Sequence, residues 1–322
     1  MAARKKVVSI SSTCFNEEGN LREWYDRLIR MLAQFPQYDY EIVIADNLST
    51  DGSREILRDI AAHDKKFKVI FNANNFGPIR SAFNAYLKSS GDAVVCMPAD
   101  LQEPPETIAD MIRKWEEGYL VVAGVRKKSK ENLLMHQARK LYYWILSQVS
   151  DSRDIIRDFT GFGLYDRKFN DAVRKFQDPY PYFRGLVSEI GFKRTSVEYV
   201  QDKRKHGVSK INMFQLFGIA MTGFVNHSKL PLRLATISGF FLAFVSLLIA
   251  FGYLVYKILY WDTFTLGLAP LVVGLFFFSA VQLIFIGIIG EYVGATLTHV
   301  KNYPLVIEEE AINFDQTSDP RA

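Results

Sequence analysis

Two hydrophobic patterns divide the chain. Up to about Asn226 short apolar runs alternate with amphipathic stretches, whereas the segment after Arg233 holds two long runs without charge. Val7 to Cys14, Glu41 to Asp46, Lys68 to Phe71, Ala93 to Met97 and Leu120 to Val125 are short and rich in β-branched residues, as buried strands are. Helical patterns lie between them. Ser49, Thr50 and Asp51 precede Arg54 to Ala62, and Pro104, Pro105 and Glu106 precede Met111 to Glu116, residue types that favour helix starts. Alternation of this kind predicts a mostly parallel sheet with helices on both faces, and ligands of such sheets sit beyond the carboxyl ends of the strands.

The long runs set a membrane expectation. No charge occurs for 23 residues between Arg233 and Lys257, nor for 28 between Asp262 and Glu291, and a bilayer core takes about 20 apolar helical residues. The short link from Lys257 to Asp262 makes the pair a hairpin with both ends on one side. Lys229, Arg233, His299 and Lys301 flank the spans, and the positive-inside bias makes that side cytoplasmic. The start, MAARKKVVSIS, is soon interrupted by Asn16, Glu17 and Glu18, so no cleavable signal is expected. Gly290 and Gly294 have a small-xxx-small spacing that favours close helix approach and self-association. Leu133 to Val149 and Ile211 to Val225 are amphipathic; they either lie in the membrane interface or pack on the soluble core.

Composition narrows the function classes. Lys and Arg number 39 against 35 Asp and Glu, a formal charge of +4, too balanced for a dedicated nucleic-acid binder. Cys14 and Cys96 cannot build a disulfide framework, and both read as buried free thiols in a reducing compartment. No Walker P-loop and no G-x-G-x-x-G occurs, since Gly161-Phe162-Gly163 lacks the third glycine. The five histidines are scattered without zinc-ligand spacing.

The strand ends carry the chemistry: Thr13-Cys14-Phe15-Asn16-Glu17, Asp46-Asn47, and Met97-Pro98-Ala99-Asp100-Leu101-Gln102. Asp100 and Gln102 flank one residue, so both project to one face and can offer oxygens to a hard cation such as Mg²⁺ or Mn²⁺, which diphosphate oxygens would complete. The competing reading of Asp100 is a cap for the helix near Pro105.

The runs Phe15-Asn16-Glu17-Glu18-Gly19-Asn20-Leu21, Asp46-Asn47-Leu48-Ser49-Thr50-Asp51-Gly52-Ser53, Asn75-Phe76-Gly77, Gly91-Asp92-Ala93-Val94-Val95, Ala99 to Glu106 and Gly207-Val208-Ser209-Lys210 occur in this order. The set resembles the family 2 glycosyltransferases, within them the polyisoprenyl-phosphate enzymes of the bactoprenol glucosyltransferase and dolichol-phosphate mannose synthase type. Gly287-Ile288-Ile289-Gly290-Glu291-Tyr292-Val293-Gly294, Lys301 and Pro304 extend the resemblance to the tail. It implies a GT-A nucleotide-sugar domain (Rossmann-like α/β, mostly parallel sheet), and divides the chain into catalytic 1–165, acceptor-side and juxtamembrane 166–230, two membrane helices 231–297 and a cytoplasmic tail 298–322.

The resemblance further implies that Thr13, Phe15, Glu17, Asp46 and Asn75 bind the nucleotide, with Asp46 on the base, while Asp100 and Gln102 hold the metal. Asp158, in Asp158-Phe159-Thr160-Gly161-Phe162, would orient the acceptor and act as base, with a turn cap as the competing reading. Arg126, Arg139, Arg204 and Lys210 are candidate partners of a lipid phosphate, for which guanidinium is well shaped. Three departures from the family pattern stand out. Pro98 replaces the first acid of Asp-x-Asp, Asn47 the second acid of Asp-Asp, and Pro78-Ile79-Arg80 the commoner Lys-Glu-Ala.

The expectation is therefore an inverting enzyme of the inner membrane that moves a sugar, glucose by family weight, from a UDP-sugar to polyprenyl (undecaprenyl) phosphate. A non-catalytic scaffold or lipid carrier on a decayed transferase fold, which Pro98 encourages, is the rival of another class. A processive polysaccharide synthase fits less well, because none of Trp24, Trp115, Trp144 and Trp261 follows an Arg.

Overall fold

The structure, a computed structural model, describes residues 4–127, 156, 158–176, 183–202, 230–260, 268–301 and 303–314. The first half alternates as expected: β1 (Val7–Cys14), α1 (Leu21–Leu32), β2 (Asp39–Asp46), α2 (Ser53–His63), β3 (Phe67–Asn72), α3 (Gly77–Lys88), β4 (Ala93–Cys96), α4 (Thr107–Glu116) and β5 (Val121–Arg126). Then come β6 (Phe159–Asp166), α5 (Arg167–Val173), α6 (Phe183–Ile190), β7 (Arg194–Tyr199), α7 (Leu230–Leu259), α8 (Leu268–Lys301) and β8 (Glu308–Ile312). Among the described residues eight strands form one sheet in the order β7-β5-β6-β4-β1-β2-β3-β8. β6 and β8 run antiparallel to their neighbours, and every other pairing is parallel.

Alternate strand positions feed two cores. Val8, Ile10, Ile42, Ile44 and Val69 meet Trp24 and Leu28 of α1, Leu57 of α2 and Met111 of α4 on one face. On the other, Val94, Val121 and Tyr165 meet Phe83 and Tyr86 of α3, Phe169 of α5 and Val187 of α6. The spacing of Leu21, Trp24, Leu28 and Met31, all buried, is what seats α1 on the sheet.

The sheet extends past residues 165 and 298. β6 ends at Asp166, β7 lies beyond it, and the tail re-enters the sheet as β8. Three late strands hid for physical reasons. β6, of sequence FTGFGLYD, has its apolar run broken by two glycines. β7 is a half-exposed edge strand of sequence RTSVEY, and β8 reads EEEAI, a composition strands usually avoid. β8 is held instead by its flanks: Leu305 and Val306 are buried against Phe83 and Tyr86, and Arg80 donates to the carbonyls of Leu305 at 2.7 Å and Pro304 at 2.8 Å. That clamp is what Arg80 does in place of the commoner family residue.

Two stretches, Leu232–Leu259 and Val273–Lys301, have mean hydropathy 2.3 and are long enough to cross a membrane. Their apolar surface is not buried within the protein: Phe240, Phe244, Leu247 and Phe276 are all exposed. Core helices of a soluble domain would bury such faces, so this surface calls for lipid. The helices neighbour each other, since a Cβ on Gly239 of α7 would lie 3.9 Å from the ring of Phe285 on α8. The amphipathic stretches 133–149 and 211–225 lie outside the described residues.

Candidate active site

The carboxyl ends of β1 to β5 and β7 share one edge of the sheet. The loops after β1 and β2 are laced there. Asn16 N donates to Ser49 Oγ at 2.9 Å, Thr50 N to Asn16 Oδ1 at 2.7 Å, Glu17 N to Ser53 Oγ at 2.9 Å and Gly52 N to Glu18 Oε2 at 2.7 Å. Ser49 and Thr50 thus bind the neighbouring loop, while Asp51 serves both, accepting from Glu18 N at 3.2 Å and from Ser53 N at the start of α2 at 3.0 Å; the N-cap itself is Gly52. A Cβ at Gly52 would meet Glu18 Oε2 at 2.9 Å, so a glycine admits the contact. Phe15 and Glu17 stay half-buried on this edge.

Asp46 ends β2 with no exposed surface. Its oxygens accept from Arg54 Nε at 3.0 Å, Ser49 N at 3.2 Å and the Cys14 thiol at 3.5 Å. The expected contact between Asp46 and a base therefore requires the 47–52 turn to open; as it stands, Asp46 is the buried post on which that turn hangs. Burial, and then the Asp46 charge, push the Cys14 thiol well up. Cys14 is buried as expected but Cys96 is only half-buried, and both are free.

Asn47 explains its own departure from the family pattern. Its Nδ2 donates to Asn75 Oδ1 at 2.8 Å while its Oδ1 accepts from Phe76 N at 2.9 Å and Asn72 Nδ2 at 3.3 Å. A carboxylate could only accept. Asn75 also receives Gly77 N at 3.0 Å, so it fixes the start of α3. Thr13 Oγ1 donates to the Ala45 carbonyl at 3.0 Å and lies 3.1 Å from Ser81 Oγ. Thr13 and Asn75 therefore belong to the framework of the edge.

The second half of the edge is a chain of polar groups. Asp100 Oδ1 accepts from Gln102 N at 3.2 Å across Leu101, whose φ is 58°. Gln102 Oε1 accepts from Gln201 Nε2 at 3.0 Å, Gln201 Oε1 accepts from Arg126 Nη1 at 2.8 Å, and Arg126 N donates to the Asp158 carbonyl at 3.3 Å. Asp100, Gln102, Arg126 and Asp158 are thereby brought together from β4, β5 and the approach to β6. Arg126 is half-buried, and its Nε has no partner among the described residues. Arg139, Arg204 and Lys210 lie outside the described residues.

Glu103, Tyr199 and Gln201 complete this network without having been singled out in the sequence. Glu103 was legible only as the neighbour of Gln102; Gln201 follows a weakly patterned strand, and nothing marked it. Glu103 is buried and accepts from Tyr199 Oη at 3.2 Å. Burial, with the nearby Asp100 charge, pushes it up to about 7 from an ordinary 4.5. Folded Glu103 keeps a proton that the unfolded chain releases between these values, so stability falls as pH rises through that window, by about 3 kcal/mol in all. Urea unfolding of the detergent-solubilised chain in EDTA should show this slope, and Glu103→Gln should flatten it; equal slopes in both would reject the assignment.

Backbone strain gathers at the same edge. Asn16, Leu48, Leu101 and Asp158 have φ of 56°, 64°, 58° and 55°, a region that is unfavourable for branched side chains such as leucine by about 1–2 kcal/mol. Strain of this sort persists where surrounding structure enforces it, commonly at ligand sites. Leu48 and Leu101 each lie directly beside a residue of the laced loops or the polar chain.

Relatives match the chain across almost their entire length. The chain is 36% identical to the glycosyltransferase YkcC of Bacillus subtilis over 95% of this chain and 94% of that protein. It is 30% identical to an SfII prophage-derived bactoprenol glucosyl transferase of Shigella flexneri, over 93% and 96%. Residues 9–174, from β1 to the end of α5, match the family described as Glycosyl transferase family 2. The laced strand-end loops, the polar chain from Asp100 to Asp158 and this match lead to one assignment: the chain is a glycosyltransferase and belongs to glycosyl transferase family 2.

Proposed function

We propose that the protein transfers a sugar from a UDP-sugar, glucose first among the candidates, to a polyprenyl phosphate at the cytoplasmic surface of the membrane. The observation that carries this reading is one polypeptide joining a polar strand-end cluster to two lipid-seeking helices, and relatives named for bactoprenol glucosyl transfer match 93% of the chain. The catalytic unit is the sheet, β7 and β8 included, with the rest of 166–230 on the acceptor side and 231–297 as the anchor.

In the proposed reaction a phosphate oxygen of the lipid attacks the anomeric carbon in line, the bond from that carbon to the UDP oxygen breaks, and the configuration inverts. The acceptor is largely ionised at pH 7, its second pKa being about 6, so Asp158 has more to do in orienting it than in removing a proton. Arg126, at the end of β5, would pair with the lipid phosphate. Phe15 and Glu17 line the nucleotide side, and Asp46, Asn47 and Asn75 hold its loops.

The donor set suits Mg²⁺ or Mn²⁺ in one specific way. Among the described residues no group of three His, Cys, Asp or Glu side chains could hold a metal. Asp100 supplies the carboxylate and Gln102 a carbonyl oxygen with a lone pair left beside Gln201, so the diphosphate itself has to complete the shell, as hard cations commonly allow. When bound, the ion would neutralise the departing diphosphate.

The test is a panel of labelled nucleotide sugars incubated with membranes containing the protein and with undecaprenyl phosphate, followed by organic extraction. UDP-glucose should carry label into the organic phase only when the lipid phosphate is present. No extractable label with any nucleotide sugar would favour the scaffold reading instead.

A further inference from the structure

The strand that follows the membrane helices is built unusually. β8 opens with Glu308, Glu309 and Glu310, and each has its own partner. Glu308 accepts from Asn84 Nδ2 at 2.9 Å, Glu310 takes both arms of Arg58 at 2.8 and 2.6 Å, and Glu309 accepts from Arg54 Nη2 at 2.7 Å. The register explains the geometry. Phe71 lies opposite Glu310 and Asn72 opposite Glu308, so Glu309 is the extra residue of a β-bulge. Successive residues of a regular strand point to opposite faces, yet Glu309 and Glu310 both reach α2, because a bulge re-aims a side chain.

What Glu309 reaches is connected to the site. The same Arg54 donates through Nε to the buried Asp46 at 3.0 Å and lies over the Phe71 ring, 4.8 Å from its centre. One guanidinium is thus divided between Asp46, the post of the 47–52 turn, and a carboxylate delivered by the chain returning from the membrane. Without Glu309, Arg54 would commit its charge to Asp46 alone and hold the turn shut more tightly.

We propose that Glu309 is a positioning residue of the nucleotide site: acting through Arg54 on Asp46, it makes donor binding depend on the docked post-membrane strand. This rests on the reading that the loops after β1 and β2 receive the nucleotide. The full-length chain in nanodiscs is titrated with UDP and Mn²⁺ by calorimetry, and KM and kcat are measured with UDP-glucose. Glu309→Gln should weaken UDP binding and raise KM by about threefold to tenfold, the scale of one partly exposed charge pair, with kcat at saturating donor retained. Arg54→Gln removes the clamp itself, so it should not weaken UDP, and adding Glu309→Gln to it should have no further effect; a further loss in the double variant would overturn the relay. Glu310→Gln, on the same strand but paired with Arg58, should leave UDP affinity within about twofold. Equal losses in the Glu309 and Glu310 variants would mean simple strand docking and overturn the proposal, as would an unchanged KM in Glu309→Gln. Asp46→Asn separates the two levels. If it weakens UDP while Glu309→Gln does not, only the relay fails; if UDP binding ignores Asp46→Asn, the nucleotide reading fails and the relay with it.

Discussion

Replacing Asp100 with Ala is expected to lower kcat by about 10²–10³-fold, the usual cost of removing one group that stabilises developing charge in a transferase or hydrolase site. The side chain has a second role that must be separated from this one, because Asp100 Oδ1 accepts from Gln102 N at 3.2 Å and so supports the strained Leu101. Asp100→Asn keeps that hydrogen bond and removes the charge. A metal-holding Asp100 predicts that the Asn variant is nearly as inactive as the Ala variant and that UDP binding loses its dependence on Mn²⁺. Near-normal turnover of Asp100→Asn would reduce the residue to a turn-former, the competing reading of its sequence position.

Asp158→Asn is expected to lower kcat by about 100-fold, at the low end of what general acid–base groups contribute, because the phosphate nucleophile is already ionised. The substitution is chosen for the backbone: Asp158 has φ 55°, and asparagine tolerates that region nearly as well as aspartate. The turn that receives the Arg126 N–H on the Asp158 carbonyl should therefore survive. KM for the donor should stay within about twofold while KM for the lipid phosphate rises, since orientation of the acceptor is the role assigned. A variant with wild-type kcat and altered thermal stability would mark Asp158 as structural.

Most interior strands were readable because burial on both faces writes an apolar run: Ile42 to Ala45 and Ala93 to Val95 are buried throughout, whereas β6, also interior, was not, because two glycines break FTGFGLYD. The membrane helices were readable for a related reason, since lipid removes the polar face altogether. Strands at the sheet edges, where one side meets water, left no such trace, and β8 is an extreme case whose three glutamates are satisfied by arginines and a lysine from α2 and α3. Those partners are more than 200 residues away in sequence, so nothing local announces them. The same limit applied to the site. Asp100, Asp158 and Arg126 were identified by residue type and order, while Gln201, which bridges Gln102 to Arg126, has no motif of its own, and Glu103, inside the Ala99 to Glu106 run, gave no sign that it would be buried beside them. Asn47, which looked like a loss of a carboxylate, is understood only once its amide is seen donating to Asn75 and accepting from Phe76.

Sequence alone determined the alternating α/β plan, the two lipid-seeking helices and the family, because periodicity, hydrophobic length and ordered motifs are properties of the chain itself. Tertiary structure decided that the tail closes the sheet, that Asp46 is a buried post, and that Glu309 is linked to Asp46 through Arg54. Each of these depends on pairing between segments far apart in sequence, where the energy of a polar group is set by what surrounds it rather than by what precedes it.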